Sequence, residues 1–305
     1  ILAMADWPAV DFATAGTLTT EMLQDRAVSL DYEPGSTFKV VAIGGALQQG
    51  LITPQSSFEV PESLELGGHV IHDAESHPTE TLTASQILAR SSNVGEIRIA
   101  SLEGAQGFNR WVHEFGFAAP TGIELPGEEG GVVPPVSGYS ESSMGNLPFG
   151  QGEMVTPIQL INAYAAIADG GVLRPPHVVA AVNGHPHAVP AGRRIISSQT
   201  AAQLREMLRG PLQPGGTAAE VSIPGYQLAG KTGTAEKVNP ATGEYSKSAF
   251  IASFIGFAPV SDPKLLAVVV VDEPQAGSIY GGQVAAPAWG QIMSFALPYL
   301  GVAPE

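Results

Sequence analysis

"YEPGSTFKVVAIGGALQQG", residues 32–50, holds a Pro-Gly turn that breaks straight into an apolar helical pattern. Ser36 is the first residue past the turn, and Lys39 follows three positions later. Val40, Ile43 and Leu47 fall at the i, i+3, i+7 spacing of one helix face, and Gly50 stands where such a helix stops. The pattern predicts a helix over 36–49 with a hydroxyl and an amine at its mouth. Residues three apart on a helix are neighbours. A serine hydroxyl is a weak nucleophile that needs a base beside it. A lysine serves as that base only when burial and nearby cations strip its proton. A helix N-terminus also offers backbone N–H groups to a developing oxyanion. Taken singly, S-x-x-K reads first as a helix-capping Ser followed by a Lys reaching for solvent.

Two further stretches bear on that choice. "TASQ", residues 83–86, is a capping box that predicts a helix through Ile87 and Leu88. Ser91-Ser92-Asn93 then interrupts the apolar rhythm, which places it on a turn between two helices. Alone it is a polar turn; functionally, Ser91 offers a proton-relay hydroxyl and Asn93 an amide for a substrate carbonyl. "KTGT", residues 231–234, ends a predicted strand. Gly233, without a side chain, would let a peptide-like ligand approach the strand edge, and Lys231 with the Thr232 and Thr234 hydroxyls suits a carboxylate.

S-x-x-K, S-x-N and K-T-G in this chain order, on a helix start, an inter-helix turn and a strand, form the serine acyl-transferase set of β-lactamases and penicillin-binding proteins. The chain resembles the transpeptidase domain of class B penicillin-binding proteins. "YEPGSTFK" (32–39), "SSN" (91–93), "FGQGEMVTPIQLINAYAAIADGG" (149–171), "KTGT" (231–234) and "GGQVAAPAW" (281–289) carry the likeness over nearly the whole length. The resemblance implies an acylated nucleophile at Ser36, a base at Lys39, a proton relay at Ser91 tuned by Lys231, and an amide contact from Asn93. It also implies carboxylate binding by Thr232 and Thr234 beside Gly233, and an oxyanion hole from the N–H groups of Ser36 and Thr234. The implied substrate is a peptidoglycan stem peptide ending in D-Ala-D-Ala, and β-lactam antibiotics would block Ser36. A serine β-lactamase, a D,D-carboxypeptidase, a β-lactam sensor and an idle scaffold of the division or elongation machinery carry related motifs. No E-x-x-x-N segment suited to water activation follows the SSN turn.

The remaining pattern sets the expected fold. Residues 1–7 are apolar and closed by Pro8, which reads as a strand. "YQLAGKTGTAE" (226–236), "SAFIASFIGFAP" (248–259) and "KLLAVVVVDEP" (264–274) read as three more, joined by hairpin turns such as "NPATGEY" (239–245). "TPIQLINAYAAIADGG" (156–171) is a helix with its own capping box, 199–209 is another, and a helix with Pro287 near its start closes the chain. The expectation is an α/β fold: an antiparallel sheet built from both chain ends, flanked by helices, with a mostly helical inserted subdomain. Residues 1–55 and 215–305 would form the sheet subdomain and 56–214 the helical one, which is the penicillin-binding protein and serine β-lactamase-like transpeptidase fold.

Composition narrows the partners. The 305 residues carry 14 basic against 29 acidic side chains, a net charge of −15 that argues against nucleic acid as a partner. With no cysteine, disulfides and thiol chemistry are excluded. His69, His72 and His77 fit no familiar metal spacing and read as surface polar residues, so no metal and no cofactor is expected. Trp7, Trp111 and Trp289 read as packing residues, and Glu236 and Lys237 as possible cleft lining. The resemblance further implies an anchor and a pedestal domain outside this stretch, a place at the extracytoplasmic face of the bacterial membrane, and a membrane-embedded glycosyltransferase partner.

Overall fold

The computed structural model describes residues 1–11, 16, 18–19, 21–188, 190–239, 241–275 and 277–305. Helices α1 (Arg26–Ser29) and α2 (Val40–Gln48) precede four short strands, β1 (Ser57–Val60), β2 (Ser63–Leu66), β3 (His69–His72) and β4 (Glu80–Thr83). Helices α3 (Ala84–Arg90), α4 (Asn93–Glu114) and α5 (Pro157–Ala168) follow, with α4 broken at Gly104, where the backbone turns to φ +68°. Strands β5 (Val172–Leu173), β6 (Ala181–Val182), β7 (His185–Pro186) and β8 (Arg193–Arg194) pair locally as β5–β8 and β6–β7. Helix α6 (Ser198–Met207), the long strands β9 (Ala229–Val238), β10 (Tyr245–Ala258) and β11 (Leu265–Asp272), and helix α7 (Gly281–Tyr299) complete the chain.

The helix starts obey their sequence signals. Thr83 and Gln86 close the capping box of α3, and Thr156 and Gln159 close that of α5, whose first residue is Pro157. Each box satisfies backbone donors that would otherwise have no partner at a helix N-terminus. Gly50, at φ +69°, lies just past α2.

The main sheet is antiparallel in the order β11-β10-β9, so β9 is an edge strand. It is covered on both faces, and side chains alternate between the two with the strand period. Ile251, Ile255 and Phe257 of β10 join the core formed by α2, α4 and α5, whereas Phe254 and Ala258 pack with Trp289, Met293 and Leu297 of α7. On β9, Ala229 lies on the side of the helical core, and Lys231 and Gly233 follow it at the same parity.

Three sequence expectations are corrected. Residues 1–7 form no strand, and among the described residues the main sheet is drawn only from the C-terminal part of the chain. Apolarity signals a segment that could pair, but it does not supply a partner edge. Here Leu2 and Trp7 are 76% and 85% exposed, and the stretch is tied down by polar contacts instead, Arg26 N–H donating to Asp6 Oδ2 at 2.6 Å. Trp7 is therefore no packing residue, although Trp111 and Trp289 are buried. The helix over 36–49 opens as a 3-10 turn, Gly35–Lys39, before becoming α2. In the 239–245 turn the Asn239 N–H donates to the Glu244 carbonyl at 2.8 Å, and Pro240 lies outside the described residues.

The turn carrying Ser36 is seated by backbone. The Gly35 N–H donates to the Gly150 carbonyl at 3.0 Å, and a Cβ on Gly150, which sits at φ +82°, would lie 2.3 Å from the Gly35 oxygen. Gly150→Ala is expected to lower stability by about 1–3 kcal/mol through left-handed strain and that collision. Gly184→Ala, also left-handed at φ +79° but facing open space, should cost less, and thermal denaturation of the two variants checks the difference.

Candidate active site

The 3-10 turn decides how Ser36 and Lys39 meet. In a 3-10 helix, residues three apart eclipse along the axis, so the two side chains leave one line of the turn. Gly35 takes φ +55°, and a Cβ there would stand 3.0 Å from the Thr234 carbonyl. The start of this turn and the edge strand β9 are therefore in backbone contact. Thr37 Oγ1 donates to Pro34 O at 2.8 Å, and Tyr164 Oη on α5 donates to Thr37 O at 2.8 Å. Ser36 is half-buried, whereas Lys39 is fully buried.

The Lys39 amine reaches the turn between α3 and α4. Its Nζ donates to the Ser91 carbonyl at 2.5 Å and to Asn93 Oδ1 at 2.9 Å, and lies 3.4 Å from Ser91 Oγ. From β9, Lys231 Nζ approaches the same hydroxyl at 2.8 Å. Ser91 Oγ thus lies between two buried amines. A hydroxyl has one proton to give and two lone pairs to offer, so it can accept from one amine while donating to the other. Ser91 itself is in the left-handed region, φ 61° and ψ 34°, as the C-cap of α3. Such a conformation costs a non-glycine residue about 1–3 kcal/mol and is characteristic of functional sites.

Burial governs the charges. It lowers the Lys39 pKa to about 8 against the opposing pull of Glu96 and Asp73. It holds Lys231 well below the usual lysine range, and the neighbouring Lys39 charge pushes the same way. Desolvation disfavours the ammonium form of both, which supplies the condition the sequence argument required of Lys39.

Sequence reasoning missed what mounts the SSN turn. Asp73 accepts hydrogen bonds from the N–H groups of Asn93 (2.6 Å) and Val94 (2.9 Å) at the start of α4. Ser92 caps the same helix by accepting from the Gly95 N–H at 2.9 Å. His77 Nε2 pairs with Asp73 Oδ2 at 3.0 Å, and its side chain is only 9% exposed. This histidine is therefore no idle surface residue. A lone Asp in a loop twenty residues upstream carries no motif, so only the fold reveals it. Asn93 Nδ2 also donates to the His72 carbonyl at 3.1 Å, which leaves one donor and one acceptor site of its amide for a ligand.

The KTGT strand splits by parity. Lys231 turns toward Ser91, while Thr232 Oγ1 bonds Thr217 Oγ1 at 2.8 Å and Thr234 Oγ1 accepts from the Gly281 N–H at 3.1 Å. Gly233 also has a packing reason. A Cβ there would lie 2.3 Å from Ser253 Oγ and 2.9 Å from Pro34 O. Lys237 pairs with Asp272 and Glu273 across the sheet, so it is held by ion pairs of its own. The structure thus joins Lys39, Ser91, Asn93 and Lys231 in one hydrogen-bonded group, with Ser36 on the Lys39 turn and Thr232 to Thr234 on the adjoining strand.

Comparison with known proteins gives a consistent set of likenesses. The family model described as the penicillin binding protein transpeptidase domain matches residues 1–294. The chain is 35% identical over 294 residues to penicillin-binding protein PbpB of Mycolicibacterium smegmatis, covering 92% of this chain and 45% of that protein. It is 34% identical over 306 residues to peptidoglycan D,D-transpeptidase FtsI of Escherichia coli K12, covering 100% of this chain and 50% of the other. It therefore spans about half the length of the curated relatives it matches. The crystal structure of penicillin binding protein 3 from Mycobacterium tuberculosis complexed with ampicillin superposes with a TM-score of 0.86 at 33% identity, over 93% of this chain and 65% of that one.

The His77–Asp73 pair makes the mount pH-dependent. The Pro78 carbonyl first, with Asp73 and Glu80 in support, raises the His77 pKa above 6.5. A raised folded-state pKa contributes stability that is full below the unfolded value and is lost as pH climbs through the folded one. The melting temperature of His77→Gln should therefore fall below wild type most at acidic pH, with the gap closing as pH rises past the neutral range. Asp73→Ala, which also removes two charge-assisted bonds to backbone, should cost about 1.5–3 kcal/mol and be destabilised across the whole range in the same melts.

Proposed function

The chain belongs to the penicillin-binding protein transpeptidase family, and on that premise we propose that it is a serine D,D-transpeptidase acting on peptidoglycan stem peptides through an acyl-enzyme at Ser36. The observation that carries the reading is the Ser91 hydroxyl held between the buried amines of Lys39 and Lys231, beside the turn that bears Ser36.

Lys39 in its neutral form takes the Ser36 proton as Oγ attacks the carbonyl of the penultimate D-Ala. The N–H groups of Ser36 and Thr234 receive the developing oxyanion, where fixed donors outperform water because they need no reorganisation. Collapse breaks the peptide bond, and the departing D-Ala amine receives a proton through Ser91, replenished from the lysine pair. An amine from a second stem peptide then attacks the ester and frees Ser36. Asn93 holds the substrate amide with its remaining donor and acceptor. Thr232 and Thr234, beside Gly233, receive the terminal carboxylate at the edge of β9. A β-lactam copies the D-Ala-D-Ala terminus and leaves Ser36 acylated.

The wider setting follows from the same reading. The site lies between a sheet subdomain, 1–55 with 215–305, and a mainly helical one, 56–214. The full-length protein works at the extracytoplasmic face of the bacterial membrane, in division or cell-shape maintenance, with a membrane-embedded glycosyltransferase as partner. Among the described residues no helix is long and apolar enough to cross a membrane.

Intact mass after incubation with a penicillin is expected to show one stable adduct on the wild type and none on Ser36→Ala. Lys39→Ala should slow acylation by orders of magnitude, about 10²-fold or more for loss of a general base. Because Lys39 is held near 8 and acts as the neutral amine, the acylation rate should rise about tenfold per pH unit up to that value and then level. Absence of an adduct sinks the proposal, and steady hydrolysis of a chromogenic cephalosporin turns it into a β-lactamase.

A further inference from the structure

Helices α3 and α6 face each other across a groove of about 790 Å³ that the 210–216 loop borders. From α6 come Gln199, Gln203 and Glu206, one helix face at the i, i+4, i+7 spacing, and from α3 come Gln86 and Arg90, one turn apart. Among the described residues Arg90 and Glu206 are the only charged groups of the lining, and each is already paired, Arg90 with Glu80 at 2.8 Å and Glu206 with Arg209 at 2.8 Å. The side-chain amides of Gln199, Gln203 and, on the loop, Gln213 have no hydrogen-bond partner among the described residues. A glutamine amide offers two donors and a carbonyl acceptor and carries no charge. Walls of this kind suit a neutral hydrogen-bonding chain, and a peptide backbone is such a chain.

Both walls run into the catalytic group. Helix α3 ends at Arg90, and the next residue is Ser91. On the loop, Gly216 precedes Thr217, whose Oγ1 lies 2.8 Å from Thr232 Oγ1. Loop and helix meet at Gly210, where a Cβ would stand 2.7 Å from the Ala89 Cβ. Lys231 Nζ spans the two ends, 2.8 Å from Ser91 Oγ and 3.4 Å from Thr232 Oγ1. In the proposed reaction Ser91 serves the amine of the departing D-Ala and Thr232 its carboxylate, so the groove adjoins the leaving-group side of the cleft. Transfer to a second peptide retraces that departure. The acceptor nitrogen bonds the ester carbonyl carbon and the C–O bond to Ser36 breaks. The amine proton passes through Ser91 to the lysine pair, which returns one proton to Ser36 Oγ. The attacking amine therefore enters where the D-Ala amine left, beside Ser91, and the rest of its peptide extends away from the acylated donor. We propose that the groove between α3 and α6 is the acceptor subsite, whose glutamine amides hold the backbone of the peptide that bears the attacking amine. The inference rests on the reading of Ser36 as the acylated nucleophile and Ser91 as the leaving-group relay.

Donor and acceptor halves of the reaction can be measured apart. A thioester analogue of the D-Ala-D-Ala terminus acylates Ser36 with loss of a thiol, and the acyl group then passes to water or to an added amine. Two acceptors are compared: D-alanine, which refills the leaving-group place alone, and a stem tripeptide with a free side-chain amine, which reaches the groove. Ala202 lines the groove on α6, next to Gln203, and Ala202→Trp should plug it. Penicillin acylation and transfer to D-alanine should then stay near wild type. The ratio of tripeptide transfer to hydrolysis should fall about tenfold or more, the scale of a steric mismatch in a pocket. Ala202→Leu gives a weaker form of the same split if the Trp variant does not fold. Gln199→Ala combined with Gln203→Ala should raise the tripeptide concentration at half-saturation several-fold. Plugged variants that use both acceptors as the wild type does overturn the inference, as does a loss shared equally by the two. A wild type that forms no penicillin adduct overturns the serine reading beneath it, and one that forms the adduct yet transfers to neither amine overturns the transpeptidase reading. Those failures are told apart from failure of the groove in one set of measurements.

Discussion

Two lysine amines, drawn from distant parts of the chain, converge in the interior on one serine hydroxyl. Lys39 and Lys231 are both wholly buried, and both reach Ser91. An ammonium taken out of water with no full counter-charge loses much of its hold on the proton, so the same burial that makes these residues expensive makes them useful. The surroundings are arranged around that cost. The SSN turn supplies a carbonyl, a hydroxyl and an amide oxygen to Lys39, and Asp73 locks the turn from behind through backbone N–H groups. Ser91 adopts a left-handed backbone to place its hydroxyl between the amines.

Holding three segments at this separation requires close backbone approach, and glycine marks each point of contact. Gly35 lies against the Thr234 carbonyl, Gly150 against Gly35, Gly233 against Pro34 and Ser253, and Gly281 against the Gly233 and Ser253 carbonyls. A methyl group at any of these positions would meet neighbouring atoms at 2.2–3.0 Å and force the 3-10 turn, the edge strand or the start of α7 to shift. The apolar stripe of α2 has a matching purpose, since Val40, Ile43 and Leu47 sink that helix into the core and deny the preceding turn any freedom to drift. Rigidity of this kind matters because proton transfer and nucleophilic attack both depend steeply on sub-ångström placement.

Much of this was legible beforehand, for identifiable reasons. Capping boxes are local, so Thr83 with Gln86 and Thr156 with Gln159 announced α3 and α5 without any knowledge of the rest. The long C-terminal strands were readable because their runs of apolar and β-branched residues, such as Val268 to Val271, exceed what a loop can carry. The N-terminal segment misled because its apolarity resembles a strand while pairing depends on a partner edge that no local pattern encodes. Asp73, His77 and Thr217 were invisible for a related reason. Asp73 and Thr217 act on residues fifteen to twenty-one positions away through a single side chain, and His77 acts through Asp73; single Asp, His and Thr residues occur throughout any chain.

By itself the sequence determined the chemistry: a serine and a lysine one turn apart, a second serine with an asparagine on a turn, and a lysine with glycine and threonines on a strand, in an order that names the reaction class. Those are properties of residue type and local spacing, which a chain displays before it folds. The tertiary structure alone decided the protonation of that machinery. Whether Lys39 can lose its proton depends on its burial, on Lys231 arriving from nearly two hundred residues away, and on Glu96 and Asp73 as the acids facing it. Electrostatic energies are set by distance and local dielectric, and neither exists until the segments are packed together.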